Sequence, residues 1–265
     1  MNPAPVAPFQ AIAISRLAHQ LKAEGRSIIH MEFGQPSTGA PPKAIAAAHH
    51  WLDAEPGGYV FQADLTERIA RLYEERHGLS IDPERILLTC GASPALVLAL
   101  SALFSPGDRI AFVRPGYVAY RNTVSALSRV PVEIAAGPET RYQLDARHLD
   151  ALDEAPAGLI LASPANPTGT MIAAEGLAAI AAAARQGGTR IISDEIYHGL
   201  SYGDPPHSML EFDPDAIVIN SFSKYWSMAG WRLGWIVAPP GTSELLRSYI
   251  GNMFLTPPTL AQRAA

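Results

Sequence analysis

The alternation of short apolar runs with longer helical stretches is the feature that most limits what this chain can fold into. Runs of four to six mostly apolar residues recur between stretches of helical character. Such runs are typical of strands that a mostly parallel sheet buries between two layers of helices. The predicted strands are 86–89, 109–113, 130–134, 158–162, 189–193, 216–220 and 233–238, and the helices predicted among them are 93–104, 117–128 and 173–186.

This pattern predicts an α/β fold of three layers, helix, sheet and helix, around a mostly parallel central sheet. The length of 265 residues and the 48% of hydrophobic residues are sufficient for such a core. The first 35 residues differ, because they predict an amphipathic helix over 13–23 and a short strand over 28–33. We therefore expect residues 1–35 to form an N-terminal arm and part of a smaller domain, and residues 36–265 to form the large domain.

Composition excludes several classes of partner. The chain has 20 basic and 25 acidic residues, a net charge of −5, and no run of Lys or Arg, so we expect neither nucleic acid nor membrane as a partner. Cys90 is the one cysteine and no Cys/His cluster has zinc spacing, which favours a cytoplasmic location and no metal. The first ten residues do not resemble a secretory signal, and the longest apolar stretches are too short to cross a bilayer.

Ligands of open α/β sheets bind beyond the carboxyl ends of the strands, so polar residues there are candidates for a site. After the first strand, Ser93 is predicted to be the N-cap of a helix, with Gly91 allowing a ligand to approach the backbone. The free N–H groups and the dipole of that helix favour an anion such as phosphate. A plain helix cap without a ligand explains the same residues.

Two further strand ends carry polar groups. Residues 162–170 contain two prolines and a glycine that would hold Asn166 in a rigid loop, although a turn with no ligand explains them equally. Asp194 and Glu195 follow the next strand, where a buried carboxylate needs a partner. A protonated ring nitrogen would suit Asp194, unless that carboxylate simply faces water. Glu195 points the other way in an extended chain and is expected to be structural.

The last candidate lies in the segment 221–234. Lys224 is flanked by aromatic residues, and desolvation would lower the pKa of its amine and make it a nucleophile. Arg232, eight residues on, could bind a phosphate with its planar fork. Each residue taken alone is equally an ordinary surface cation.

Four motifs together resemble a known family. They are Asn-Pro-Thr-Gly at 166–169, Asp-Glu-Ile-Tyr at 194–197, Ser-Phe-Ser-Lys at 221–224 and Gly-Trp-Arg-Leu-Gly at 230–234. In this order and spacing they resemble the class I/II aminotransferases, which are fold-type I enzymes dependent on pyridoxal 5′-phosphate. The resemblance extends from about residue 28 to the end of the chain. It implies a cytoplasmic homodimer that moves an amino group between an L-amino acid and a 2-oxo acid by a ping-pong mechanism.

The resemblance also implies roles for single residues. Lys224 would form a Schiff base with the cofactor and then move a proton, while Asp194 would pair with the pyridine nitrogen. Tyr197 and Asn166 would donate hydrogen bonds to the ring oxygen, and Tyr117 would stack on the ring. The residues implied to hold the phosphate are Ala92, Ser93, Ser221 and Arg232.

Gly34 is implied to lie against the substrate carboxylate, where Asn166 also reaches, and Tyr59 to reach the cofactor of a partner subunit. Tyr120 is expected to pack, and His49, His50 and His198 are expected to have surface or packing roles. The chain ends inside a region where family members continue into a C-terminal small domain, so we expect a shortened product that lacks it. Alternatives are an impaired remnant, a lyase on the same fold and a non-catalytic cofactor sensor.

Overall fold

A seven-stranded sheet forms the centre of the protein in the computed structural model, which describes residues 6–54 and 57–265. The strands are β1 (Ile86–Thr89), β2 (Arg109–Arg114), β3 (Val130–Ala135), β4 (Gly158–Ala162), β5 (Arg190–Asp194), β6 (Ile217–Ser221) and β7 (Gly234–Val237). Their order across the sheet is β1-β7-β6-β5-β4-β2-β3. β7 pairs antiparallel with both of its neighbours, and the other pairs are parallel. The predicted α/β fold with a mostly parallel sheet is confirmed.

Helices cover both faces of this sheet. They are α1 (Gln10–Ala23), α2 (Pro42–Ala54), α3 (Ala63–His77), α4 (Ala92–Leu103), α5 (Ala119–Ala126), α6 (Ala146–Asp150), α7 (Ala174–Gln186), α8 (Ser243–Met253) and α9 (Thr259–Ala264). Among the helices of the described ranges, none has the length and hydropathy that a bilayer span requires.

Two hydrophobic cores result, because successive strand residues point to opposite faces of the sheet. In β5, Ile191 belongs to a core cluster with residues of α2, α3, α7 and α9, whereas Ile192 belongs to a cluster with residues of α4, α5 and α8. Both side chains are fully buried. Burial on both faces explains why these strands are continuous apolar runs rather than alternating ones. For the same reason, each predicted strand of the sheet agrees with the structure to within one residue at either end.

The predicted strand over 28–33 is wrong. Residues 24–41, between α1 and α2, contain no strand, and Ile29 and Met31 are 86% and 87% exposed. The alternation of apolar residues here indicates a half-buried strand, but a strand also needs a second backbone to accept and donate its hydrogen bonds. No other part of the described chain pairs with this segment. The division into an arm and a large domain stays a prediction.

Candidate active site

A cavity of about 1290 Å³ opens at the edge of the sheet where the parallel strands end. Residues that follow β1, β2, β4, β5 and β6 line it. Because β7 runs the opposite way, the residues just before it reach the same edge. The predicted site residues that line this cavity are Gly34, Ala92, Ser93, Tyr117, Asn166, Asp194, Tyr197 and Lys224.

One corner of the site is the turn from β1 into α4. Gly91 is the N-cap residue with a φ of 103°, and no side chain caps the helix. The prediction that Ser93 is the N-cap is therefore wrong, because the left-handed backbone of Gly91 lets α4 begin at Ala92. Ser93 lies inside the first turn instead. The first N–H groups of α4 are left without helical partners, and the helix dipole adds positive potential there.

Arg232 approaches this corner from the other side of the turn. A Cβ atom placed on Gly91 would lie 2.6 Å from Nη2 of Arg232 and would displace the end of that side chain, while the φ of 103° favours glycine for its conformation. The acceptors of Nη1 among the described residues are uncharged oxygens, Ala229 O at 2.9 Å and Ser223 Oγ at 3.4 Å. The positive charge of Arg232 therefore stays available to an anionic ligand.

Ser221 lies behind the same corner rather than in the cavity. It is fully buried at the end of β6, where it pairs with Gly234 of β7. A Cβ atom on Gly234 would come within 2.9 Å of the Ser221 Cβ and 3.0 Å of the Gly91 carbonyl carbon. The structure thus brings all four predicted phosphate residues to one helix N-terminus: Ala92 and Ser93 in its first turn, with Ser221 and Arg232 beside it. Arg232 itself lines a second cavity of about 690 Å³.

Asp194 ends β5 and presents its carboxylate to the main cavity. Its Oδ2 accepts a hydrogen bond from Tyr120 Oη at 2.7 Å, and its Oδ1 accepts one from the Ile196 N–H at 3.3 Å. Burial raises the pKa of Asp194 above its ordinary value, whereas these two hydrogen bonds and the nearby Lys224 lower it. A carboxylate held this way is suited to pair with a cationic group of a ligand.

Tyr120 packs in the core as expected, and it also makes a polar contact that the sequence did not predict. Its ring is buried in the core and makes an edge contact with Tyr117 at 5.4 Å between centroids, but its hydroxyl orients Asp194. A signal was present in the sequence, because residues three apart lie on one face of a helix. A cavity-facing role for Tyr117 therefore places Tyr120 nearby.

Lys224 follows β6 and lies across the cavity from Asp194. Its Nζ donates a hydrogen bond to the Gly34 carbonyl and lies 5.8 Å from the centre of the Tyr197 ring. Burial, and then the charge of Arg232, lower the pKa of this amine, while Asp194 opposes the shift. A lowered pKa gives the neutral, nucleophilic form of the amine at a lower pH than a surface lysine would have it.

Asn166 and Tyr197 meet on the wall between these two groups. The Asn166 amide donates to Tyr197 Oη at 3.3 Å. Burial raises the pKa of Tyr197, and Asp194 adds to that rise, so its hydroxyl keeps its proton as a donor. Tyr59 is not brought to this site: its side chain is 76% exposed and it does not line the cavity.

Comparisons with known proteins agree with this architecture. Residues 26–265 match the family model of the class I and II aminotransferases. Valine–pyruvate aminotransferase of Mycobacterium tuberculosis is 41% identical over 98% of this chain and 68% of its own length. A (5-formylfuran-3-yl)methyl phosphate transaminase of Methanocaldococcus jannaschii is 32% identical over 97% of this chain and 68% of its own.

Solved structures show the same fold. An aminotransferase from Mycobacterium tuberculosis superimposes with a TM-score of 0.96 at 40% identity, covering all of this chain and 70% of that one. The aspartate aminotransferase of Thermus thermophilus with maleate gives a TM-score of 0.93 at 27% identity over 100% and 72%. The fold and the matched motifs are those of a transferase. The chain belongs to the class I and II aminotransferase family.

Proposed function

We propose that this protein is a pyridoxal 5′-phosphate-dependent aminotransferase that moves an amino group between an L-amino acid and a 2-oxo acid by a ping-pong mechanism. The observation that carries the proposal is the arrangement around one cavity edge. An amine with a lowered pKa, a buried carboxylate and an anion-binding corner converge there from different strands. The names of the matched relatives support the same reaction class.

The residues present fit this cofactor at its phosphate and at its ring nitrogen. The phosphate fits the α4 N-terminus, where Gly91 has no Cβ and Arg232 has uncharged acceptors. A protonated ring nitrogen fits the carboxylate of Asp194. When bound, the cofactor supplies an aldehyde that condenses with amines and a cationic ring that accepts electrons from the substrate α-carbon.

The chain's own residues then have distinct tasks. Lys224 Nζ, whose pKa is lowered, would hold the cofactor at its aldehyde end and would take up and return the proton of the substrate α-carbon. Asp194 would hold a proton on the ring nitrogen, and the Tyr120 hydrogen bond favours its ionised form by lowering the pKa that burial raises. Asn166 and Tyr197 line the cavity and are joined by a hydrogen bond, and they would orient the ring from the side.

The substrate carboxylate is proposed to lie between Gly34 and Asn166, both of which line the cavity. The relatives named for valine and pyruvate and for aspartate accept different side chains by their names, so the amino donor is proposed only as an L-amino acid. We further propose a cytoplasmic location, which the single cysteine supports.

A homodimer is proposed on the exposure of one segment. The carbonyls of Gly58 and Val60 accept hydrogen bonds from Thr259 at 2.5 Å and Thr256 at 2.8 Å, so the backbone on both sides of Tyr59 is held. The Tyr59 ring nevertheless points into solvent. An exposed ring on a fixed backbone is typical of a residue that contacts a partner subunit. Light scattering of the wild type and of Tyr59→Ser tests the proposed dimer.

The half-reaction is the direct test of the function. The protein is loaded with pyridoxal 5′-phosphate and mixed with single L-amino acids while the cofactor spectrum and the 2-oxo acid are followed. We expect pyridoxamine phosphate and one equivalent of 2-oxo acid, reversed by a second 2-oxo acid, and no conversion in Lys224→Ala. Release of ammonia without pyridoxamine phosphate would contradict the proposal and indicate a lyase.

A further inference from the structure

Glu195, the neighbour of Asp194, is a buried carboxylate with two very different oxygens. Its side chain is 1% exposed and lies on the opposite side of the backbone from the cavity. Oε1 accepts from Ser208 Oγ at 3.0 Å, from Ser193 Oγ at 3.1 Å and from the Met209 N–H at 2.9 Å. Oε2 is buried and has no hydrogen-bond partner among the described residues. Three donors occupy Oε1, so a proton on this carboxyl group would sit on Oε2.

The His198 nitrogen that faces Glu195 Oε2 is Nδ1, and it carries no hydrogen. The Nε2 of His198 lies 3.1 Å from the carbonyl oxygen of Ser163, which can only accept, so Nε2 carries the hydrogen. In the neutral ring, Nδ1 is then an acceptor, and it lies 3.6 Å from Glu195 Oε2. Burial lowers the pKa of His198 to about 4, which keeps the ring neutral. Two lone pairs facing each other in a buried space are unfavourable unless a proton lies between them.

We propose that Glu195 and His198 share one proton between Oε2 and Nδ1, and that this pair is a positioning element for the active site. The two atoms close from 3.6 Å to a hydrogen bond of about 2.7 Å when the carboxyl group is protonated. The shared proton gives Oε2 the partner it lacks, lies between it and His198 Nδ1, and leaves the pair without net charge next to Asp194. The role in the active site rests on the proposed function above.

The pair links two loops that carry site residues. Glu195 directly follows Asp194 and His198 directly follows Tyr197, and His198 ties this segment to Ser163 at the start of the loop that carries Asn166. The amide of Asn166 donates to Tyr197 on the cavity side of the same two loops. The two loops are thus joined on the cavity side by the hydrogen bond between Asn166 and Tyr197, and behind the cavity by the one between His198 and Ser163. The buried bridge fixes the distance at which Asn166 and Tyr197 meet.

Burial raises the pKa of Glu195 from its ordinary value of 4.5 to about 7, consistent with a protonated carboxyl group in neutral and weakly acid solution. The charged and titratable groups that surround the pair are Tyr73, Arg76 and His77 of α3, Asp194, and Glu211 with the exposed His207.

Two variants of Glu195 and one of its neighbour Asp194 test the shared proton. Glu195→Gln places an amide where the protonated carboxyl group is proposed, so its N–H₂ can donate to His198 Nδ1. Glu195→Leu has a similar size and no donor. We expect the dissociation constant of pyridoxal 5′-phosphate to stay within about threefold of wild type in Glu195→Gln and to rise about tenfold in Glu195→Leu. Asp194→Asn likewise replaces a carboxyl group with an amide, at the neighbouring residue, and is expected to weaken cofactor binding.

Two readouts need no cofactor and separate this inference from the proposed function. Nitrogen-15 shifts should show His198 as the neutral Nε2–H tautomer with a hydrogen-bonded Nδ1 between pH 5 and 7. The stability that Glu195 contributes is fully present below its unfolded pKa of 4.5 and is lost as pH rises through about 7. Glu195→Gln should therefore abolish the fall in the unfolding midpoint over that range.

Several outcomes would overturn the inference. One is a His198 ring with its hydrogen on Nδ1, and another is an unfolding midpoint of Glu195→Gln that falls with pH as in wild type. A cofactor affinity of Glu195→Gln as weak as that of Glu195→Leu would also overturn it. If wild type bound no pyridoxal 5′-phosphate, the proposed function would fail, while the tautomer and the pH dependence would still decide the question of the proton.

Discussion

The carboxyl edge of the sheet and the segment 24–41 border the same cavity, but they are held in place in different ways. At the sheet edge, Asp194 and Lys224 follow buried strands and have neighbours from several elements. The segment 24–41 has no regular structure. Two hydrogen bonds anchor it to the sheet edge, one from Lys224 Nζ to the Gly34 carbonyl and one between Thr38 Oγ1 and Ser227 Oγ at 2.7 Å. A site can thus have one wall that is preorganised and another that depends on a few contacts.

The largest effect is expected for Asp194→Asn, which removes the charge at the preorganised wall. The variant keeps the shape of the side chain, and Asn can still accept from Tyr120, so folding should be retained. Turnover should fall about 10²–10³-fold, because a fixed negative charge opposite the ring nitrogen is lost. Single-turnover rates with saturating cofactor measure this. A loss below threefold would show that Asp194 does not pair with the ring.

A smaller effect is expected for the anion-binding corner. Arg232→Gln should weaken pyridoxal 5′-phosphate binding about 10–100-fold, since a charge-assisted contact with the phosphate is lost. Pyridoxal without its phosphate is the matched ligand, and its affinity should hardly change. Titration of both ligands by absorbance gives the two constants. Equal losses for the two ligands would contradict a phosphate role for Arg232.

Tyr120→Phe should reduce turnover by an intermediate amount and should also shift the pH dependence of turnover. The Tyr120 hydrogen bond lowers the pKa of Asp194, so its loss should raise that pKa and move the acid limb of the turnover profile to higher pH. The rate at the optimum should fall about three- to tenfold. Phe112→Leu, a core change in contact with the same ring, is a control for packing alone. An unmoved acid limb in Tyr120→Phe would contradict the orienting role.

The smallest effect is expected in the segment 24–41. Ile29→Ser changes a side chain that is 86% exposed and should alter the free energy of unfolding by less than about 0.5 kcal/mol. Ile192→Ala is the contrasting change at the sheet, where a fully buried side chain should cost about 2–5 kcal/mol. Denaturant titrations of both variants measure the difference. Equal losses would remove the distinction between the two walls.

The same distinction decides what could be predicted from the sequence. Strands buried on both faces are visible as apolar runs, and motif residues such as Asn166 lie at their ends. The sequence around Gly91 and Ser93 is compatible with a helix cap at either residue. Only the backbone φ of Gly91 distinguishes the two, so the sequence did not predict that Gly91 is the cap. The link from Tyr120 to Asp194 and the pairing of Glu195 with His198 depend on three-dimensional packing between elements, which spacing along the chain does not encode.

Reduction of the cofactor-loaded protein with borohydride, followed by peptide mapping, tests the central claim most directly. The account predicts one stable pyridoxyl label, on Lys224, and no label in Lys224→Arg, whose circular dichroism should match wild type. Lys22 and Lys43 are the other lysines of the chain and serve as internal controls. A label on either of them, or none in folded wild type, would contradict the assignment of Lys224 as the amine that holds the cofactor.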